Sequence, residues 1–216
     1  MASQTLAQLQ SRVYARLDDN TLLYTSQNVT DSLNEAIRVV NLASGFLQGT
    51  IQVPTLSQPN RIWYDVPAGI LIPMRCQFEG GYLVKYFPNA IGMAYSTWTT
   101  DSTANTGLPV AEWVPCGFTK FAIHPADSIG GSEIYISGVL EPTLLVNPSD
   151  TIQMPVEYSD LIVNLSAQIL CLKETGSLFK QSSLYYQQFL SLMKKLTIWR
   201  GMIMPRYYVE TAQKQY

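Results

Sequence analysis

His124 is the only histidine among the 216 residues, so any Ser–His or Cys–His nucleophilic chemistry must pass through it. It stands in Ile123-His124-Pro125, at the end of an apolar run, with Cys116 upstream and Asp127 just beyond. A thiol, an imidazole and a carboxylate are the types needed for a relay in which Asp127 orients the base and Cys116 attacks. No motif for an oxyanion site accompanies them. The simpler reading is a strand-end histidine satisfied by a backbone group.

Other chemistry fares no better. Cys76, Cys116 and Cys171 are far apart and show no C-x-x-C step. With one histidine they offer neither zinc spacing nor a disulfide framework. Gly130-Gly131-Ser132 reads as a turn rather than a phosphate loop. Asp18, Asp19, Asp127, Glu133, Glu141 and Asp150 fall in turns and at strand edges, not as a glycosidase pair. The expectation is a protein that is not an enzyme, with no catalytic residue, cofactor or metal.

Two features stand out from this background. The first is aromatic density between Trp63 and Phe118: Trp63, Tyr64, Tyr82, Tyr86, Phe87, Tyr95, Trp98, Trp113 and Phe118. Such residues could line a glycan or receptor platform, or fill a β core as cross-strand pairs. The second is the C-terminal end. From residue 180 onward Lys180, Lys194, Lys195, Arg200, Arg206 and Lys214 oppose Glu210 alone. Met202, Ile203, Tyr207 and Tyr208 add apolar and aromatic surface among those cations. A segment of this content is expected to dock on a partner or to lie near nucleic-acid phosphates.

The elements that must position these residues divide the chain into zones. Leu6, Leu9, Val13 and Leu17 make one helical stripe; Val29, Leu33, Ile37 and Val40 make another. Thr25 or Ser26 can cap the second helix, and Gly45 can end it. Short β-branched and aromatic runs follow, at Arg61–Val66, Ile70–Phe78, Tyr82–Phe87, Phe118–Ile123 and Ile134–Leu140, with a hairpin turn at Glu79-Gly80-Gly81. Helical spacing returns at Tyr158, Leu161, Leu165, Ile169 and Leu172. It continues at Tyr185, Phe189, Leu192, Leu196 and Trp199, and Gly201 and Pro205 are expected to stop that last helix. The predicted fold is α+β. Residues 1–48 and 153–200 form a four-helix bundle from N- and C-terminal helix pairs. An antiparallel β domain is inserted at 49–152, and 201–216 is a docking tail.

Composition narrows the function. Fourteen Lys+Arg against 16 Asp+Glu leave a net charge of −2, which removes the global basicity of a protein that lives on nucleic acid alone. Only 14% of residues are charged and 47% are apolar, so the chain is expected to fold and to cover much of its surface with neighbouring subunits. The first ten residues carry no basic and apolar leader, and no apolar run approaches a membrane span. Synthesis and folding in the cytoplasm, with reduced thiols, are expected.

One family shares an ordered set of these segments. The stretch Leu23-Tyr24-Thr25 through Asn34-Glu35-Ala36-Ile37 resembles the second helix of the head-to-tail adaptor (connector) proteins of tailed bacteriophages. Tyr64-Asp65-Val66-Pro67 resembles a strand of that family, and Phe121-Ala122-Ile123-His124-Pro125-Ala126-Asp127 its following strand and turn. Met154-Pro155-Val156-Glu157-Tyr158 is similar to the entry to its third helix. The correspondence covers most of residues 5–175 in order, whereas Tyr86–Pro115 has no counterpart. The resemblance implies a structural virion protein, made in the host cytoplasm and placed at the head–tail junction. It implies a homo-oligomeric ring, commonly of twelve copies, that binds the portal protein and a downstream tail or nozzle protein. Genomic double-stranded DNA passes through the bore, and no membrane is involved. Lys194, Lys195, Arg200, Met202, Ile203, Arg206, Tyr207, Tyr208 and Lys214 are then the expected portal-docking or DNA-proximal residues. The rival expectation is a glycan- or receptor-binding tail module that uses the aromatic β domain.

Overall fold

A computed structural model describes residues 4–18, 23–88, 108–173 and 177–203. The chain separates into two compact units, Met1–Phe46 with Pro142–Tyr216, and Leu47–Glu141.

The first unit is helical. Helix α1 (Leu6–Leu17) starts at Thr5, whose hydroxyl accepts from Gln8 N–H while the Gln8 side chain accepts from Thr5 N–H, a reciprocal capping box. The next free donors, Leu6 N–H and Ala7 N–H, reach the Asp150 and Pro148 carbonyls. Residues 142–152 therefore group with the helices, satisfying donors that a helix start leaves open. Helix α2 (Ser26–Ser44) is capped by Thr25 and ends at Gly45 with φ +57°, a left-handed position that suits glycine. The predicted stripes of both helices are buried.

Helix α3 (Ser159–Leu172) and helix α4 (Ser177–Ile203) complete the described helices. They correct the predicted arrangement: the helices do not form N- and C-terminal pairs. Instead α3 packs on α4, α2 and α1, while α1 and α2 touch each other less. The cause lies in α3 itself. Leu161, Ile162, Val163, Asn164, Leu165, Ser166 and Ala167 are buried in succession, so this helix has no solvent face along two turns and must be covered on several sides. The predicted stripe through Tyr158, Leu161, Leu165, Ile169 and Leu172 described one side only, and Leu172 is exposed. Small residues let α2 approach closely: the Ser32 and Ser166 hydroxyls meet at 2.6 Å.

The second unit holds two four-stranded sheets. The strands are β1 (Gln48–Gln52), β2 (Trp63–Asp65), β3 (Ile70–Phe78), β4 (Gly81–Tyr82), β5 (Val84–Lys85), β6 (Glu112–Cys116), β7 (Lys120–His124) and β8 (Ile134–Leu140). One sheet runs β1-β8-β3-β4 and the other β2-β7-β6-β5. The β5–β6 pair is parallel, a departure from the expected antiparallel domain. A parallel pair needs a connection of about a dozen residues or more, and residues 86–111 separate these two strands. Strands β3 and β4 join through Glu79 and Gly80, both at positive φ, the primed-turn geometry that matches strand twist. Tyr64, Cys76, Trp113, Phe121, Ile123, Ile134 and Ile136 come from both sheets and fill one core.

Candidate functional site

Of the cationic residues expected to dock, Lys194, Lys195 and Arg200 are carried by α4. Its inner stripe is Ser182, Tyr185 and Phe189, all buried. The Tyr185 hydroxyl donates to the Arg16 carbonyl at 2.9 Å, satisfying an acceptor in the last turn of α1. Burial raises the Tyr185 pKa and the nearby Cys171 raises it further, against the pull of Arg16. Arg16 in turn donates to Asn164 and, at 3.5 Å, to Gln188. Arg12 pairs with Asp160 at 2.7 Å, and Arg16 stands 3.7 Å from the same carboxylate. Arg16, Asp160, Asn164 and Gln188 line an open cleft of about 380 Å³ with Ser191 and Leu192. Sequence reasoning missed it, because residues from three helices build it.

The cleft also fixes where α4 lies along α3. Asp160, in the first turn of α3, shares it with Ser191 and Leu192. The helix continues to Ile203, so residues 193–203 carry it roughly 16 Å past that level at 1.5 Å per residue. Lys194 and Lys195 are exposed there. Arg200, Met202 and Ile203 lie on the helix. Helix continues through Gly201, which costs only about 1 kcal/mol relative to alanine, so the expected stop at Gly201 does not occur. Arg206, Tyr207, Tyr208 and Lys214 fall outside the described residues.

The candidate relay is not assembled. In the β6–β7 pairing Glu112 lies opposite His124, and Cys116 opposite Lys120. Cys116 and His124 thus sit at opposite ends of the hairpin, about 13 Å apart along the strands. His124 Nδ1 instead faces Glu112 Oε2 at 3.4 Å. Asp127 is engaged elsewhere: it accepts from the Ser57 hydroxyl at 2.6 Å and from Ile129 N–H at 3.0 Å. Among the described residues no group of three His, Cys, Asp or Glu is placed to hold a metal ion, and no helix is long and apolar enough to cross a membrane.

The aromatic residues divide. Tyr64 and Trp113 are buried, with Phe121 stacked on Tyr64 and edge-on to Trp113. Trp63 and Tyr86 are half-buried, and Tyr82, Phe87 and Phe118 are exposed. Tyr95 and Trp98 lie outside the described residues. Burial of Trp113 removes it from any glycan platform.

A second exposed set was not anticipated. Phe179, Tyr186 and Leu190 on α4 are 53%, 44% and 47% exposed. Their spacing is visible in the sequence, but it runs beside the Tyr185–Phe189 seam and reads as part of it. No protein-family model matches the chain, and no curated protein matches it significantly.

Proposed function

We propose that this chain is a structural head-to-tail adaptor of a tailed bacteriophage. Copies form a ring under the portal, join capsid to tail and let the genomic DNA pass, so the protein resides at the head–tail junction of the virion. The observation that carries this reading is α4, which continues past the first turn of α3 with Lys194 and Lys195 exposed. A helix presented in this way suits insertion into a preformed portal crevice, where cations meet carboxylates and long-range charge guides the approach. Arg200, Met202, Ile203 and the residues that follow extend the same docking element. The low charge of the chain and its many exposed apolar side chains fit a surface hidden by neighbours. The action is mechanical: helical units pack side by side around the channel, and the docking element locks the ring to the portal. No turnover or cofactor is required.

The test uses the portal oligomer encoded in the same genome. The full chain is expected to co-migrate with it in native mass spectrometry. A chain that ends at Gly201 and also carries K195E/R200E is expected to keep its far-UV dichroism and lose portal binding. Failure of the full chain to bind removes the adaptor reading, and retained binding by the truncated chain removes the docking assignment.

A further inference from the structure

Helices α2 and α4 both pack on α3 and touch each other only slightly, so each turns an outer face away from the helical unit. On α4, Phe179, Tyr186 and Leu190 recur at steps of seven and four, and Lys194 continues the stripe one turn on. Tyr186 stacks on Phe189 with ring centroids 6.1 Å apart, which holds its ring in place. On α2, Asp31, Glu35, Val39 and Leu42 recur at steps of four, four and three, with Arg38 at the border, and all are exposed. From N- to C-terminus, α4 reads apolar and then cationic. Over the same direction α2 reads anionic and then apolar.

We infer that the outer face of α4 docks antiparallel on the outer face of α2 of a second copy of this chain. In that register Tyr186 and Leu190 cover Leu42 and Val39, while Lys194 meets Glu35, which leaves Lys195 and Arg200 to the portal. The spacings agree: Lys194 to Tyr186 spans about 12 Å of helix and Glu35 to Leu42 about 10.5 Å at 1.5 Å per residue. One chain does not make this contact with itself, because the residues of both faces are exposed within it. The two faces differ, so the contact is head-to-tail and each copy keeps one free face for the next, the arrangement that closes into rings. The inference deepens the adaptor reading and rests on it for the closed ring; the pairwise contact stands on the two stripes alone.

Two variants of the full chain test it in sedimentation velocity over a concentration series, with far-UV dichroism to establish folding. D31K/E35K spoils the α2 face and Y186S/L190S the α4 face. All four positions are exposed, so both variants are expected to fold. The unaltered chain should associate with rising concentration, and each variant alone should associate roughly tenfold more weakly or worse. An equimolar mixture should form a one-to-one dimer and stop, because one intact α4 face and one intact α2 face remain. A chain that stays monomeric throughout overturns the inference, as do variants that associate normally or a mixture that does not dimerise. Portal binding is read separately. Association without portal binding sinks the adaptor reading alone, and portal binding without this contact sinks the inference alone.

Discussion

The carboxamide of Asn34 takes both hydrogen-bonding groups of Leu145: its Nδ2 donates to the Leu145 carbonyl at 3.0 Å, and Leu145 N–H donates to its Oδ1 at 2.9 Å. One side chain on α2 thus does for a connecting segment what a neighbouring strand does in a sheet. Leu145 is buried between exposed Leu144 and Val146, so the clamp fixes which side chain of the segment enters the core.

Replacing Asn34 tests that clamp. Asn34→Ala leaves two peptide groups of a half-buried segment without their partner, an expected loss of about 1–3 kcal/mol. Asn34→Asp keeps the acceptor but sets a carboxylate against the Leu145 carbonyl, and it should also destabilise. A lower urea midpoint at unchanged slope would establish the effect. An unchanged midpoint would mean that Leu145 burial alone holds the segment.

Asp127 predicts an acid-sensitive loop. Burial favours the protonated form, but the Ser57 hydroxyl and the Ile129 and Gly130 amides outweigh it and hold this carboxyl below its ordinary range. The unfolded chain therefore binds the proton at higher pH than the folded chain does. The stabilisation is present in full above the ordinary carboxylate pKa of about 3.9 and is lost as pH falls through the lower folded value. Ser57→Ala removes the donor to Asp127 and the acceptor of Ser132 N–H. It should cost about 2 kcal/mol at neutral pH and flatten the acid limb of a stability–pH curve. An unaltered acid limb would exclude Ser57 as the cause.

The three thiols should separate by reactivity. Cys76 and Cys171 are fully buried and Cys116 partly so. Burial pushes the Cys76 thiol up to about 12 and raises Cys116 as well. A disulfide reagent at pH 8 should modify Cys116 first, more slowly than a free thiol, and reach Cys76 and Cys171 only on unfolding. Above about pH 8.5 the unfolded chain releases a proton that folded Cys76 retains. Stability should then fall with rising pH toward 12. Equal labelling of all three thiols in the absence of denaturant would contradict this burial.

How far these features can be read in advance depends on how local their causes are. Helices α1 and α2 are legible because Leu6, Leu9, Val13 and Leu17 face one way and Thr5, Thr25 and Gly45 act within a few residues of themselves. Strands β3 and β8 are legible from their aliphatic and β-branched density. Strand β1, Gln-Gly-Thr-Ile-Gln, has a single large apolar residue, and β6 contains Pro115, so neither carries a strand signature. The apolar surround of α3 signals burial without saying which helices supply it, which is why the predicted helix pairs fail. On α4, Lys194 and Lys195 are legible as exposed cations. Phe179, Tyr186 and Leu190 are not, because only the position of α3 decides which of two adjacent apolar stripes faces inward. The Asn34 clamp spans 111 residues of chain, and no local pattern announces it.

Two glycines separate the effects of crowding and of backbone conformation in the second unit. Gly138 lies on β8, opposite Gly49 of β1 on one side and Pro73 of β3 on the other. The β3–β8 register shifts on either side of Pro73, whose ring cannot donate to the ladder. The irregular backbone at Ile72 thereby comes against Gly138, and a Cβ there would collide with the Ile72 carbonyl oxygen. Neither backbone can yield without breaking a central pairing, so Gly138→Ala should cost about 3 kcal/mol or more. Gly80 has φ +80° but nothing within 4 Å of an added Cβ, so Gly80→Ala should cost only the left-handed penalty of roughly 1–2 kcal/mol. Thermal unfolding followed by tryptophan fluorescence, with Trp113 in the core of this unit, should rank Gly138→Ala well below Gly80→Ala. The reverse order would mean that the close approach of β3 to β8 at Ile72 is not present in the folded protein.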